Sequence, residues 1–442
     1  MRRVFLCLLL AGLALPVAAE RLALVGGRLI DGNGSPPLAN SVILVRDERI
    51  EAVGQVDTLA VPDGYRVIST EGMSVLPGLW DMHVHLMLTG HADYAHWRRE
   101  YTHRLRDDIM PASAEQLLLA GVTSARDLGA PLEDILAVRS AIEDGSIPGP
   151  TLYVSGPFLQ HRPYPGTDHY RWGVHGEDDA RARVRQLAEA GVDVIKLIDQ
   201  DQMSEAEYLA VVEEAHAHGL PVVAHAHRPE EIIRGLKAGV DNFEHTGLST
   251  APIYPDEVIN ALRERTARMD LGPLYWTPTV EPLFNYVHTI RNPEHLDDPC
   301  WHRGLDEAVV EDIRASIRHP ERLPYFQLTP ARKPTLEKKF SQLREAGATL
   351  LIGTDSGVPL SFHCQSTWAE LEVWVNHMDM DPMDTIRAAT YWPARMMGVL
   401  DDVGTIEAGK YADIIAVRGD VLRFINILRD VDIVVRRGQQ YR

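Results

Sequence analysis

The sequence predicts an α/β protein, a (β/α)8 TIM barrel with a small β-sandwich domain built from both chain ends. Three observations support this fold class. The chain has 442 residues, which is enough for one large domain and a smaller one. Strand-like and helix-like patterns alternate through the middle of the chain. Near both ends, only short strand-like runs separated by polar turns occur.

The first segment, residues 1–19, has the pattern of a secretory signal peptide. Met1-Arg2-Arg3 is basic, residues 4–15 are apolar, and Val17-Ala18-Ala19 supplies the small residues of a cleavage site. The apolar run is too short for a stable transmembrane helix. We therefore expect export to the periplasm or the cell exterior, with cleavage near Ala19.

The composition restricts the partners of the chain. A formal net charge of −19 argues against nucleic acid and against an anionic membrane surface. We therefore expect a small-molecule or short-peptide substrate, no nucleic acid and no membrane, and we leave a homo-oligomer open. Cys300 and Cys364 remain after cleavage, and the sequence does not decide whether they pair.

The small domain is predicted from residues 20–76 and 403–442. Residues 23–30 and 42–45 have strand patterns, separated by turns such as Asp31-Gly32-Asn33-Gly34. Residues 412–417 and 431–435 show the same pattern near the other end. We expect the two segments to pair.

The barrel is predicted from residues 77–402. Helical periodicity fills most gaps between its strands, for example over residues 180–190 and 205–217. An open doubly wound sheet is the alternative, but no glycine-rich dinucleotide motif follows any strand. The eight predicted strands are residues 79–83, 123–127, 151–155, 194–198, 222–225, 242–245, 275–280 and 350–355.

One segment, at about residues 281–334, interrupts the alternation after strand seven. It contains Arg291-Asn292-Pro293 and Leu323-Pro324, which break regular structure. In a barrel this connection lies over the carboxyl-terminal face, where active sites are found. We expect an irregular, lid-like insertion with some helices.

Polar residues lie at the ends of five predicted strands. His83 and His85 are one residue apart, so a strand points both side chains the same way. Taken singly, a histidine can be structural, an aspartate can cap a helix and a lysine can extend to solvent. Together they indicate a transition-metal site, because all strand ends of a barrel open onto one face. The residues are His83, His85, Lys196, His225, His227, His245 and Asp355.

These motifs resemble the amidohydrolase superfamily over nearly the whole mature chain. The resemblance is closest to the binuclear-metal branch that includes secreted prolidases and dipeptidases, with imidazolonepropionase-like relatives. The motifs are Pro77-Gly78-Leu79-Trp80-Asp81-Met82-His83-Val84-His85, Lys196, His225, Glu244-His245, Gly353-Thr354-Asp355-Ser356 and the run from Gly404 to Asp413.

The resemblance implies two divalent metal ions, for which we expect zinc, with manganese or iron as alternatives. His83 and His85 resemble the ligands of the inner metal. Lys196 resembles the lysine that becomes N-carboxylated and bridges both metals. Its carbamate would present two oxygens, which an unmodified ammonium cannot do.

The same resemblance assigns the outer metal and the acid–base group. His225 and His245 resemble the outer ligands, and His227 competes with His225 because both can point the same way. We favour His225 as ligand and expect His227 to contact the substrate or a metal ligand. Asp355 resembles the carboxylate that takes a proton from a metal-bridging hydroxide and passes it to the leaving amine.

We expect hydrolysis of an amide or peptide bond, in a dipeptide, Xaa-Pro or N-acyl amino acid substrate. Deaminases of the superfamily carry a glutamate three residues after the strand-five histidine, where this chain has Arg228. They and the imidazolonepropionase-like enzymes generally lack a lysine equivalent to Lys196. A cyclic amide hydrolase remains an alternative, as do a lactone, ester or phosphotriester hydrolase and an exported metal-binding protein without activity.

A peptide substrate needs a cation for its carboxylate. Arg126, Arg162 and Arg228 lie at or after the ends of strands two, three and five, so each is a candidate. Tyr275 and Trp276 on strand seven are candidates for lining the pocket, with barrel packing as the alternative.

Overall fold

The computed structural model describes residues 21–246, 249–323 and 326–442. The predicted signal peptide, residues 1–19, lies outside these ranges. Within them, every helix is too short or too polar to cross a lipid bilayer.

Strands and helices alternate between residues 79 and 350. The described strands are β1 Arg21–Leu29, β2 Leu38–Arg46, β3 Arg49–Gln55, β4 Arg66–Ser69, β5 Met73–Pro77, β6 Leu79–Val84, β7 Val122–Asp127, β8 Thr151–Val154, β9 Phe158–Gln160, β10 Arg171–Gly173, β11 Ile195–Leu197, β12 Val222–His225, β13 Asn242–Glu244, β14 Tyr275–Thr277, β15 Thr349–Leu350, β16 Ile414–Arg418, β17 Ile433–Arg436 and β18 Gln439–Gln440. The described helices are α1 Tyr94–Tyr101, α2 Met110–Leu119, α3 Leu132–Glu143, α4 Glu177–Ala190, α5 Glu205–Ala217, α6 Pro229–Ala238, α7 Asp256–Thr266, α8 Glu281–Arg291, α9 Glu307–Ile317, α10 Thr329–Arg332, α11 Leu336–Glu345, α12 Ser366–His377, α13 Pro382–Ala388 and α14 Tyr391–Met396.

The central strands form two parallel sheets, β6-β7-β8 and β10-β9-β11-β12-β13-β14-β15. Backbone hydrogen bonds join the sheets at both edges. The N–H of Asp193 donates to the carbonyl of Val154, and the N–H of Met82 donates to the carbonyl of Ile352, both at 2.9 Å. The TIM-barrel type of fold is confirmed, with every predicted strand present in part and β9 and β10 added after the third.

Strands from both chain ends share one eight-stranded sheet. β5 pairs parallel with β1 and antiparallel with β16, so it connects the two termini. Alternating apolar residues of these strands form a separate apolar cluster that includes Leu22, Ile43, Val75 and Ile414. The pairing of the ends follows the prediction, whereas a separate β-sandwich domain remains a prediction.

The insertion at residues 281–334 contains α8, α9 and α10, joined by short 3-10 turns. A disulfide joins Cys300 in this insertion to Cys364, which follows strand eight. The two cysteines, whose pairing the sequence left open, are therefore bonded to each other. The bond connects the insertion to the loop that follows Asp355. Helix α5 begins and ends at the residues predicted from periodicity.

Candidate metal centre

A chain of buried polar contacts orients His83 at the end of β6. Its Nδ1 lies 2.6 Å from Oε2 of Glu244, and Oε1 of Glu244 accepts a hydrogen bond from Arg126 at 2.7 Å. All three side chains are essentially inaccessible to solvent. Because Nδ1 donates to Glu244, the lone pair of Nε2 is free. Nε2 is buried, has no hydrogen-bond partner in the part of the chain that the structure describes, and is available as a ligand.

Asp355 ends strand eight next to both histidines of strand one. Its Oδ1 lies 3.4 Å from Nε2 of His83 and 3.1 Å from Nε2 of His85. Burial opposes ionisation, but the charge interaction with His83 and the hydrogen bond with His85 hold the pKa of Asp355 below its usual value. Its φ of 60° is uncommon for a residue other than glycine. Asp81 holds this turn by accepting hydrogen bonds from the N–H and the hydroxyl of Thr354, at 3.1 and 2.7 Å.

Lys196 projects from β11 into the same interior. Its side chain is fully buried, and Nζ has no hydrogen-bond partner among the described residues. Burial lowers the pKa of Lys196 to about 8, because a dry site disfavours the ammonium form. A measurable share of this amine is therefore uncharged near neutral pH, which is the form that can react as a nucleophile.

The histidines of strands five and six converge beside it. The ring centroids of His225 and His245 are 4.7 Å apart, and those of His227 and His245 are 5.0 Å apart. Nε2 of His227 lies 3.1 Å from Nδ1 of His225, and Nδ1 of His245 lies 2.7 Å from the hydroxyl of Thr279. Burial holds the pKa values of His225 and His245 well below normal and lowers that of His227 to about 4. These rings are uncharged, as a ligand requires.

Two groups of donors result. In each, one nitrogen or oxygen from every member lies within 4.8 Å of the others. The first is His83, His85 and Asp355, and the second is His225, His227 and His245. Imidazole and carboxylate donors suit zinc and related divalent ions. The residues fit a metal in each group, and the buried unpartnered Lys196 fits a further ligand. His227, which the sequence predicted to contact the substrate or a metal ligand, lies in the second group with His225.

Both groups open into a cavity of about 240 Å³. Its lining includes His85, His225 and Asp355, together with aromatic side chains such as Trp97 and Phe158. The volume is slightly below the range of about 300–1,000 Å³ typical of small-molecule sites. A cavity of this size suits a small organic molecule or a short peptide rather than a folded protein.

The arginines predicted as substrate contacts lie elsewhere. The side chain of Arg228 is 66% exposed and forms an ion pair with Asp201 at 2.6 Å. Arg162 is exposed on the loop after β9. Arg126 is buried within the barrel, where it binds Glu244. None of the three is among the described residues that line the cavity.

Tyr275 and Trp276 also differ from the prediction. Tyr275 starts β14 and packs against Trp80 and Leu351, away from the strand ends. Trp276 is fully buried, and its indole N–H donates to the carbonyl of His245. Both side chains therefore pack within the barrel, which was the alternative interpretation of these two residues. Tyr275 lies outside the cavity because strand seven reaches the carboxyl-terminal face only after Thr277.

The cavity wall contains two arginines and a histidine that the sequence did not predict to line it. Arg98 lies on α1, and His169 and Arg171 lie after strand three. No periodic pattern or motif marks these positions, because they lie on connections whose path depends on tertiary packing. Glu244 was visible only as the residue before His245. Its partner on strand two could not be inferred from spacing.

A third group, His91, His96 and Asp312, lies behind this wall. The N–H of Asp93 donates to Nδ1 of His91 at 3.0 Å, and Arg99 donates to Nδ1 of His96 at 3.1 Å. Each ring therefore carries its proton on Nε2, the atom that faces Asp312. His96 donates to Asp312 at 2.7 Å. The group is a hydrogen-bonded clasp between α1 and α9 rather than a metal site.

The insertion supports the cavity from outside. In the described parts of residues 281–334, no side chain lines the cavity. The insertion contacts α1 through Asp312, and α1 supplies Trp97 and Arg98 to the lining. The predicted lid-like segment therefore acts here as a support of the wall.

Comparison with known proteins agrees with this geometry. Residues 74–440 match the model of the amidohydrolase family. Ochratoxinase of Aspergillus niger is 27% identical over 93% of this chain and 84% of its own. Imidazolonepropionase of Hyphomonas neptunium is 26% identical over 79% of this chain and 80% of its own. The crystal structure of a Bifidobacterium longum protein described as a prolidase superimposes with a TM-score of 0.72, at 27% identity over 96% of this chain and 95% of that one.

Proposed function

Because the chain belongs to the amidohydrolase family, whose members are hydrolases that act on C–N bonds, we propose that it is an exported metal-dependent enzyme. The bond it cleaves is an amide or peptide bond in a dipeptide, an Xaa-Pro peptide or an N-acyl amino acid. Relatives named as a prolidase and an ochratoxinase support this class of substrate.

One observation carries the proposal. Two groups of candidate metal ligands converge at one small cavity at the strand ends, together with a lysine that can lose its charge near neutral pH. Neutral imidazoles and unpartnered buried nitrogens have no evident structural use there, since burying a polar atom without a partner costs free energy.

The residues of the site have different roles in the proposed reaction. When bound, two divalent ions would lower the pKa of a water molecule and polarise the carbonyl of the substrate. His83, His85, His225 and His245 would hold these ions. Asp355 accepts the proton of the attacking water at a carboxylate oxygen and delivers it to the nitrogen of the leaving amine.

As a carbamate, Lys196 would offer a further ligand to the ions. Its uncharged Nζ would attack the carbon of CO2, so that an N–C bond forms while one C=O π bond opens onto oxygen, and Nζ would lose one proton to solvent. The product carries two oxygens and a negative charge. The pKa of about 8 supports the reaction because it makes the amine available at neutral pH.

Export is supported by the disulfide between Cys300 and Cys364, since such bonds persist in oxidising compartments. Expression with the native leader tests it. We expect the protein in the exported fraction, with a mature chain that starts near residue 20 by mass spectrometry. A cytoplasmic protein with an intact leader would contradict it.

The catalytic proposal is tested on the zinc-loaded mature protein with a library of dipeptides, acyl-prolines and other N-acyl amino acids, with a lactone, a phosphotriester and a cyclic amide included. We expect release of free amine from the first three classes. Asp355→Asn should lose at least about 1,000-fold in kcat, at the upper part of the range for acid–base groups, while retaining much of its metal. Hydrolysis confined to lactones, phosphotriesters or cyclic amides would refute the substrate class.

A matched control separates the roles of the aspartates. Asp312→Asn also alters an aspartate beside two histidines, but it lies outside the cavity. We expect its metal content to equal that of the wild type, measured by elemental analysis.

For Lys196, ¹³C-bicarbonate should produce a protein carbamate signal by NMR that Lys196→Met lacks. Equal signals in both proteins would exclude carboxylation at this site.

A further inference from the structure

The side chain of Arg171 lies in the cavity wall with unused hydrogen-bond donors. One terminal nitrogen donates to Oε1 of Gln160 at 2.9 Å. Its Nε is buried and has no hydrogen-bond partner within residues 21–246, 249–323 and 326–442. The guanidinium carbon lies 5.1 Å from the ring centroid of Phe158 and 4.8 Å from that of Tyr164. The head group is thus held in place by aromatic faces while at least one donor remains free.

Arg98 joins the same wall from α1. Its terminal nitrogen lies 3.5 Å from the hydroxyl of Tyr170, a distance at the weak end of hydrogen bonding. Tyr170 also lies beside Arg171, with 5.4 Å between the guanidinium carbon and the ring centroid. The two cations therefore flank one tyrosine on a shared surface of the cavity.

Neither guanidinium has an acidic partner among the residues that the structure describes. Arg126 and Arg228, by contrast, are each paired with a carboxylate at 2.7 and 2.6 Å. Asp355 is the single carboxylate among the described lining residues, and it belongs to the first metal group. Two partly desolvated cations without counter-charges favour an anionic ligand.

We propose that Arg171 and Arg98 form the subsite for the free carboxylate of the substrate, and that they select for amides of amino acids over uncharged amides. This inference rests on the proposed function and deepens it. A carboxylate suits the two guanidinium groups because its two oxygens can each accept a charge-assisted hydrogen bond.

The rest of the cavity agrees with such a substrate. Apart from the arginines and the metal candidates, much of the lining is apolar, with side chains such as Met87, Phe158 and Ile198. A substrate with a carboxylate at one end and an amide carbonyl at the other would place its apolar part against these walls. The carboxylate thereby fixes the end of the molecule that points away from Asp355.

The alternative is that both arginines are structural and hold the aromatic side chains of the wall. A structural role predicts equal treatment of charged and uncharged substrates. Matched pairs separate the two roles: N-acetyl and N-benzoyl amino acids and Xaa-Pro dipeptides, each as the free acid and as the carboxamide.

Binding of each pair is measured by calorimetry on zinc-loaded Asp355→Asn protein, in which turnover is suppressed. We expect the free acids to bind roughly 10- to 100-fold more tightly than their carboxamides, as for hydrogen bonds to charged groups. Arg171→Gln and Arg98→Gln should each remove most of this ratio. Arg228→Gln, at the exposed arginine outside the cavity, should retain it.

Arg171→Lys is a second variant that keeps the charge, and it should retain part of the ratio even if Arg171→Gln fails to fold. Equal binding of acid and carboxamide by the parent protein would overturn the inference. So would a full ratio in the double variant with Arg98→Gln and Arg171→Gln, or an absence of binding by every free acid.

The failures of the two proposals are distinguishable. If the wild-type enzyme hydrolyses acids and carboxamides with equal kcat/KM, the proposed function holds and the carboxylate subsite is refuted. If acids bind selectively and no pair is hydrolysed, the subsite holds and the proposed function is refuted.

Discussion

The contact between Arg126 and Glu244 offers the sharpest test of how the fold prepares the metal centre. The two side chains are 2.7 Å apart and fully buried. The other oxygen of Glu244 lies 2.6 Å from Nδ1 of His83. The informative perturbation is a double-mutant cycle with Glu244→Gln, Arg126→Met and the combination.

The expected magnitudes follow from burial. Each single change leaves one charged group in the barrel interior without its partner, which costs about 3–5 kcal/mol of unfolding free energy. The double variant leaves neither charge. We therefore expect its loss to be smaller than the sum of the single losses by at least about 2 kcal/mol.

Glu244→Gln should also weaken metal binding. An amide oxygen accepts the proton of Nδ1 less strongly than a carboxylate, so the imidazole of His83 becomes a poorer and less fixed donor. Loss of such an orienting partner lowers metal affinity about 10- to 100-fold. Competition with a chelator of known zinc affinity measures this loss, and denaturant unfolding of the metal-free protein measures the cycle.

A matched control is the exposed pair Arg181 and Glu213, at 2.6 Å. Its coupling should stay below about 1 kcal/mol. Additive losses in the buried cycle, together with wild-type zinc affinity in Glu244→Gln, would refute the idea that Glu244 connects Arg126 to the metal ligand His83.

Three further predictions concern the pH dependence of stability, the disulfide and the clasp. Burial raises the pKa of Glu281 well above its usual value. Its contribution to stability is therefore present below the unfolded pKa of about 4.3 and lost as pH rises through the higher folded pKa. As pH rises above about 4.3, the wild type should lose more unfolding free energy than Glu281→Gln, and parallel pH profiles would contradict this. Replacing Cys300 and Cys364 with serine removes a disulfide that closes a loop with a sequence separation of 64. The unfolding free energy should therefore fall by roughly 4 kcal/mol. An unchanged denaturant midpoint would show that the insertion does not need the bond. Asp312→Asn weakens the acceptor of the hydrogen bond from His96. It should lower the unfolding free energy by about 1–2 kcal/mol, seen as a lower melting temperature. A lower metal content in this variant would instead reveal a third metal site.

Much of the barrel could be predicted because strand and helix periodicities are local. The face on which His83 and His85 lie follows from alternation within one strand. The convergence of Lys196, His225, His245 and Asp355 follows from the general rule that strand ends share a face. No knowledge of packing between particular segments was needed for either.

The wall of the cavity could not be predicted in the same way. Arg162, Arg228 and Tyr275 were reasonable candidates by position, yet their side chains point to solvent or to the packing side of the barrel. Arg98 and Arg171 reach the cavity because α1 and the segment after strand three fold over the strand ends. Which cations of a loop face a site depends on the path of that loop, and the path is not encoded in a short periodic pattern.

The sequence by itself determined the order of strands and helices, the polar residues at the strand ends and hence the kind of chemistry that the interior can support. The tertiary structure decided which charges are neutralised and which are left for a ligand. Arg126 meets Glu244 across 118 positions of the chain, while Arg98 and Arg171 meet no carboxylate among the described residues. Ion pairing and burial are properties of segments brought together by folding, so they become visible only when those segments are in place.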